Sequence, residues 1–303
     1  MIRTAAVLGS GAVAEALFAT LPAAGVRVLA SWQRRSGLAP PPLRDVDLVL
    51  LAVSDAAVAE VCARLEVGPG QLVAHLAGAL GLRPLAEAHR LGARTGSLHP
   101  LRPFTLGDGL GFRGFAAGIA GSDESAAADL EDLCRRLGMT PLRTSERSRA
   151  LYHAAAALAA GAEVALFSQA VRAFRKATGL GEPDARAALL PLALAALEKL
   201  RRDPPGIAIT GPAARGDLAT LAAHRRALPA DLLPLYDELA RVALALRTPL
   251  EAGSPEPVPK SRSSPRRRPP PRGARPSASS RSPGPRGRRS GPRRRGPAPR
   301  RRR

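Results

Sequence analysis

Two cysteines, two methionines, one tryptophan and two tyrosines among 303 residues leave this chain little sulfur or aromatic chemistry. Cys62 and Cys134 stand far apart, at no metal-ligand or redox spacing, and are expected as buried thiols in helices. No metal site is expected. The apolar stretch nearest to a membrane span, Ala150 to Phe167, is interrupted by Tyr152, His153, Gly161 and Glu163, and its alanines contribute little to insertion, so no membrane association is expected. Arg3 followed by apolar residues imitates a secretory signal, but Glu15 and the glycines break the apolar region, which points to a cytoplasmic protein. The most telling absence is of acid: no Asp or Glu occurs between Glu15 and Asp45.

The formal net charge of +21 is concentrated at one end. From Ser254 to Arg303 there are 18 Lys and Arg against Glu256 alone, while residues 1–253 carry 28 basic and 24 acidic side chains. The tail consists mainly of Pro, Arg, Ser, Gly and Ala without any aromatic residue, so it cannot bury a core and is expected to be disordered. It could bind nucleic acid non-specifically through phosphate electrostatics, without base stacking. It could equally be a solvated extension without a partner, or an out-of-frame read of a GC-rich gene.

What is present begins with Ala6-Val7-Leu8-Gly9-Ser10-Gly11-Ala12-Val13-Ala14, an apolar strand entering Gly-x-Gly-x-x-Ala and leaving as a helix. In a dinucleotide site the first glycine permits the tight turn, the second lets backbone approach the diphosphate, and a small third residue lets helix pack on strand. The free amides opening the helix, around Ala12 and Val13, would meet the phosphate charge. The next strand ends in Ser31-Trp32-Gln33-Arg34-Arg35, in the acid-free interval. NAD-selective sites place a carboxylate there for the ribose 2′-hydroxyl, whereas a 2′-phosphate wants hydroxyl and guanidinium donors. Ser31, Arg34 and Arg35 are therefore expected to clamp NADP, with NAD the lesser alternative; a solvated arginine loop is the bland reading.

Asp47 to Asp55 reads as a strand buried on both faces, followed by helix; further strands are expected at Gln71 to Leu76, Thr95 to Leu98 and Phe115 to Ala120. This alternation predicts an α/β domain over residues 1–147, a doubly wound parallel sheet of Rossmann type, with ligands at the carboxyl ends of the strands. Those ends carry Gly9, Ser31, the Ala52-Val53-Ser54 turn, His75 and His99. Residues 148–252 are expected to form an all-helical domain for substrate binding and dimerisation, with helices from Ser148 to Thr178 (capped by Gly179), Asp184 to Arg202 (kinked by Pro191), Asp217 to Leu228 and Ala230 to Arg247. Residues 253–303 form the tail.

Hydride transfer to a carbonyl or imine calls for a proton or hydrogen-bond donor at the acceptor atom. His99 is the first candidate, presented by a turn that Pro100 stiffens, with Tyr152 and His153 facing it from the long helix. His75 is a weaker candidate for the donor, with bonding to backbone near the nicotinamide as the equal alternative. Thr210 and Arg215 lie in the glycine- and proline-punctuated loop of the helical domain, where Arg215 would clamp a substrate carboxylate or phosphate or else pair with Asp217 or Glu163, and Asp217 caps the next helix.

Together Gly9 to Ala14, Asp47 to Asp55, His75 to Ala79, Ser97-Leu98-His99-Pro100-Leu101, Tyr152 to Ala156 and Thr210 to Asp217 resemble a family of bacterial Rossmann-like proteins with a helical C-terminal domain of unassigned function. That family is similar in turn to the pyrroline-5-carboxylate reductase, ketopantoate reductase and 6-phosphogluconate dehydrogenase group. The resemblance covers about residues 4 to 248. It implies an NADP-dependent oxidoreductase fold with substrate held between the two domains, and often a homodimer formed through the helices, but supplies no substrate; a small, anionic metabolite is the expectation. Relatives tend to carry Ser-Asn where this chain has Ala160-Gly161; that departure keeps open a non-catalytic NADP-binding sensor, beside the third reading of a nucleic-acid-associated protein acting through its tail.

Overall fold

The computed structural model describes residues 1–246; the basic tail and the last residues of the helical region lie outside them. Seven strands form one sheet in the order β2-β1-β3-β4-β5-β6-β7, with β1 Thr4–Leu8, β2 Arg27–Trp32, β3 Leu48–Leu51, β4 Leu72–His75, β5 Arg94–Pro100, β6 Ala116–Gly121 and β7 Thr140–Arg143. Strands β1 to β5 are parallel, as expected. β6 departs from the expectation and runs antiparallel to β5, with β7 parallel to β6. A parallel return needs a crossover element, and residues 101–115 supply no helix, so the chain turns back beside itself. β7 was not foreseen: it holds Pro141, which an edge strand tolerates.

Period-two alternation divides the apolar strands between two cores. Val7, Leu48, Leu50, Leu72 and Leu98 face α1 Ala12–Thr20 and α4 Glu124–Arg136. Leu8, Val49, Leu51 and Val73 face α2 Val58–Cys62 and α3 Ala86–Arg90. Each fully buried leucine contributes about 1.5–3 kcal/mol, so helices hold both faces of the sheet. Cys62 and Cys134 are the buried thiols expected, in α2 and α4. Asp123 caps α4 by accepting from the Ala126 amide at 2.8 Å.

Arg149 to Thr178 is helical throughout: α5 Arg149–Ala157, a π-turn Leu158–Ala162, and α6 Glu163–Thr178, closed by Gly179 in the left-handed conformation. α7 Glu182–Lys199 runs through Pro191, and α8 Pro205–Ala208, α9 Pro212–Arg215, α10 Leu218–Ala227 and α11 Leu233–Ala245 follow. α8 and α9 are short turns that the sequence reading ran over. Asp217 caps α10 through the Thr220 amide at 3.0 Å. Few side chains here are buried, and Leu151, Leu158, Val164 and Leu192 are each at least 66% exposed. Among the described residues Arg149–Thr178 is the one helix long and apolar enough to cross a membrane by length and composition.

Candidate active site

At the carboxyl end of β1 the chain passes from Leu8 through Gly9-Ser10-Gly11 into α1. Gly9 has φ +153° and lies so close to β3 that any side chain would overlap the Ala52 carbonyl; its N–H donates to the Trp32 carbonyl at 2.8 Å. Packing within the protein thus accounts for this glycine. Gly11 is different: its backbone is ordinary (φ −85°) and a Cβ there would meet nothing within 4 Å. It opens onto a cavity of about 330 Å³ lined by Gly9, Ser10, Gly11, Arg34, Arg35, Ala52, Val53, Ser54 and Leu106. Ala12 and Val13 are the first residues of α1, and their amides are among those a helix start leaves without intrahelical partners. Ala14 is fully buried beneath, where a larger residue would lift the helix from the sheet.

Eight residues expected from sequence at the cofactor, Gly9, Ser10, Gly11, Arg34, Arg35, Ala52, Val53 and Ser54, therefore line one cavity, while His75, Ala12, Val13 and Ser31 are not among its lining. Ser31 does not: β2 extends one residue further, to Trp32, and leaves Ser31 exposed on the strand. Arg34 and Arg35 lie in the turn after β2, and Arg34 Nη1 stands 3.6 Å from Glu60 Oε2, with both side chains more than half exposed. Leu106 was not foreseen. It comes from the segment between β5 and β6, which Arg102 organises: its guanidinium is nearly buried, pairs with Asp108 at 2.5 Å, and donates to the Leu110 carbonyl at 2.9 Å. The Arg102 hydrogen bond pulls the Asp108 carboxyl down to about 2. The Gly107 amide anchors the segment to Glu15 of α1 at 2.9 Å.

The second cluster lies where β5 outruns β4. The two strands pair as far as His75 and Ser97, and β5 continues three residues beyond along β6, to Pro100, so His99 belongs to the strand and not to a turn after it. Thr95, Ser97 and His99 share one face of β5, and α5 reaches Ser97 through Arg149 and His99 through Tyr152. His99 Nδ1 and the Tyr152 hydroxyl lie 3.0 Å apart, and the His99 and His153 ring centroids 5.8 Å apart. Gly118, the register partner of His99, and Gly78 leave room for these rings: a side chain on Gly118 would overlap Tyr152, and one on Gly78 would overlap His99 and His153. Burial, then the nearby His153 and Arg149, bring the His99 imidazole down to about 4, so the ring is neutral at pH 7. Burial raises the Tyr152 phenol.

His99 and His153 open onto a cavity of about 400 Å³, otherwise walled by Pro100, Leu101, Arg102, Pro103, Ala156, Ala157, Ala159 and Ala160. Ala159 and Ala160 belong to the π-turn, an irregularity frequent at functional sites. His75 is fully buried with Nε2 2.9 Å from the Gly81 carbonyl, which fits the backbone-bonding alternative, and burial lowers its pKa. Thr210 and Arg215 are exposed and line neither cavity; Arg215 makes no ion pair with Asp217 or Glu163. Sequence reasoning passed over Arg149, whose Nη2 donates to the Ser97 hydroxyl at 2.5 Å. Its signal was the polar alternation Thr95, Ser97, His99 in a strand that is otherwise buried. No group of three or more His, Cys, Asp or Glu among the described residues could hold a metal ion.

A protein-family profile described as a domain of unknown function (DUF2520) matches residues 115–243. No curated protein matches the chain in sequence. Among solved structures, the chain is similar to the proposed NADP oxidoreductase BF3122 from Bacteroides fragilis, at 22% identity and TM-score 0.62, covering 80% of this chain and 98% of that one. Protein TM1727 from Thermotoga maritima is similar at 20% identity and TM-score 0.62, over 80% and 97% of the two chains. A reductive aminase from Aspergillus terreus in complex with NADPH and ethyl levulinate matches at 20% identity and TM-score 0.56, over 81% and 94%. The shared property is the fold, a Rossmann-like sheet followed by helices.

Proposed function

We propose that this chain is an NADP-dependent oxidoreductase that reduces, or forms by oxidation, the carbonyl or imine of a small molecule. The observation that carries the reading is the open space at Gly11. Protein packing explains Gly9 but not Gly11, whereas a diphosphate drawn to the start of α1 would need the position free of a side chain. The cavity before it has two arginines and no lining acid, which suits a phosphorylated ribose better than a plain one. Gly9, Ser10 and Gly11 would hold the diphosphate, Arg34 and Arg35 the 2′-phosphate, and Ala52 to Ser54 the wall of the adjoining nucleoside. NADPH bound there supplies hydride.

The remaining roles fall to side chains. The Tyr152 hydroxyl has two acceptors in reach, His99 Nδ1 at 3.0 Å and the His99 carbonyl at 3.3 Å; in the tautomer where it donates to Nδ1, the ring proton lies on Nε2, which faces Gly78 and His153. A neutral imidazole in this state donates a hydrogen bond to the acceptor oxygen or nitrogen without needing an extra proton. His153 flanks the same cavity and is the second candidate donor, and the Tyr152 hydroxyl keeps the His99 ring in orientation. The alanine wall favours an apolar body on the substrate. The guanidinium lining it, Arg102, is already committed to Asp108 and the Leu110 carbonyl, so it is not free to hold an anionic substrate.

The exposed leucines and valines of α5 to α7 support a homodimer through the helical region, since a second copy would cover apolar surface too extensive for a monomer. The same cover would account for the apolar helix Arg149–Thr178 without lipid, in keeping with a cytoplasmic protein. NADPH consumption with a panel of apolar ketones, 2-oxo acids and cyclic imines tests the reading. Turnover that falls at least about tenfold in His99→Gln, with NADPH affinity retained, is expected; tight NADPH binding without turnover on any of them would favour a sensor, as the loss of polar groups at Ala160-Gly161 suggests.

A further inference from the structure

Five buried side-chain atoms among the described residues lack a hydrogen-bond partner: His75 Nδ1, Arg149 Nε and Nη1, Asp132 Oδ2 and Arg136 Nε. The last two face each other at 3.0 Å as an ion pair, so their charges are matched. The other three flank one residue. His75 is the register partner of Ser97 across β4 and β5, and Arg149 donates to the Ser97 hydroxyl. Ser97 precedes His99 by two residues on the same face of β5.

Arg149 is 3% exposed, and its one hydrogen bond goes to a neutral hydroxyl. Glu146, the acid with the largest influence on it, is exposed and accepts instead from the Leu82 amide at 2.8 Å. A buried charge without a counter-ion is costly, and an apolar side chain of similar length would fill the space at less expense to folding. Stability of the fold therefore does not explain an arginine here. Position does, because negative charge develops on the acceptor atom during reduction, and fixed positive charge nearby is worth most where water is excluded.

We propose that Arg149 is a positioning residue of the reducing site: its guanidinium, fixed by Ser97, supplies permanent positive charge behind the His99 imidazole and the atom that accepts hydride. This rests on the oxidoreductase reading and adds to it the source of the site's charge. The groups acting on His99 are Tyr152, His153 and Arg149 from α5, His75 from β4 and Asp55 from the turn after β3, while Glu146, from the connection into α5, acts on His75 and Arg149. Asp55 and Glu146 are exposed and screened by solvent, so Arg149 is the buried permanent charge of the set. A cation so placed also opposes protonation of the ring, which gives a readout that needs neither substrate nor cofactor.

The test uses the full-length chain carrying Arg149→Met or Arg149→Lys, with histidine side chains isotope-labelled for NMR and the His99 signal assigned by its loss in His99→Gln. In Arg149→Met the His99 titration midpoint should rise above wild type while the melting temperature is unchanged or higher; Arg149→Lys should hold the midpoint near wild type. NADPH affinity should stay within about twofold in both. A folded Arg149→Met in which His99 titrates as in wild type overturns the proposal, as does a loss of thermal stability in Arg149→Met that Arg149→Lys fully restores without any difference in the midpoint. Should Arg149→Met fail to fold, Ser97→Ala releases the guanidinium while keeping its charge, and an unmoved midpoint there also overturns it. Failure of the oxidoreductase reading would show separately, in wild type, as absence of NADPH binding or as NADPH binding without turnover on the substrate panel.

Discussion

Reversing both arginines of the dinucleotide cavity, Arg34→Glu with Arg35→Glu, should convert preference for NADPH into preference for NADH. The two guanidinium groups line the cavity from the turn Arg34–Ser36, and the Arg34 side chain is 52% exposed. For charges about 4 Å apart the interaction runs from about 1 kcal/mol in water to about 4 kcal/mol at the effective dielectric of a protein surface. At this exposure the lower part of that range applies, roughly 1 kcal/mol for each arginine, and reversal doubles it by turning attraction into repulsion. Glu60, 3.6 Å from Arg34, already offsets part of that residue's share, so Arg35 should carry more. The double reversal should then cost NADPH about 3 kcal/mol, roughly 150-fold in Kd. NADH, lacking the 2′-phosphate, should change by no more than a fewfold. Titration calorimetry with each cofactor at low and moderate salt measures both, and the NADPH penalty should shrink as salt rises. Equal losses for the two cofactors would refute the assignment of these arginines to a 2′-phosphate.

Replacing Gly9 by Ala forces a methyl group into the Ala52 carbonyl, so thermal unfolding should fall by several degrees, corresponding to about 2–4 kcal/mol; a variant as stable as wild type would show that the β1–β3 approach is looser than described. The His99 ring has its pKa lowered to about 4 from an unfolded value of 6.5, so the unfolded chain binds more protons between those values and His99 favours the fold most fully above pH 6.5. That contribution, up to about 3 kcal/mol, is lost as pH falls from about 6.5 to about 4. The stability difference between wild type and His99→Gln should therefore change over that interval and be flat above it; a difference independent of pH would mean the ring titrates normally.

Much of the nucleotide half was legible because its signals are local. Gly9 and Gly11 mark a turn that nearly any context would bend the same way, and the apolar runs at β1, β3 and β4 leave few alternatives to buried parallel strands. Tyr152, His153 and His99, distant in sequence, were joined by expecting one at the carboxyl end of a strand and the others at the opening of the long helix, although His99 proved to lie within β5. What was missed depended on register and tertiary contact. β6 reversed direction because residues 101–115 hold no crossover helix, a feature that glycine and proline counts alone do not reveal. The role of Arg102 comes from Asp108 six residues on, and Arg149 is read as an ordinary helix start until its side chain is seen to reach Ser97. Ser31 was misplaced by one residue, enough in a strand to send a side chain to the opposite face. Thr210 and Arg215 were singled out from loop punctuation, which marks a turn but not what the turn faces.

The most direct measurement is calorimetric titration of NADPH into the full-length wild-type chain and into Gly11→Val, a substitution whose Cβ meets nothing within 4 Å and which should leave the melting temperature within a few degrees. Saturable binding by wild type, weakened at least about a hundredfold in an equally folded Gly11→Val, is expected if the start of α1 holds the diphosphate. Binding of equal strength by both proteins, or none by wild type, would contradict it.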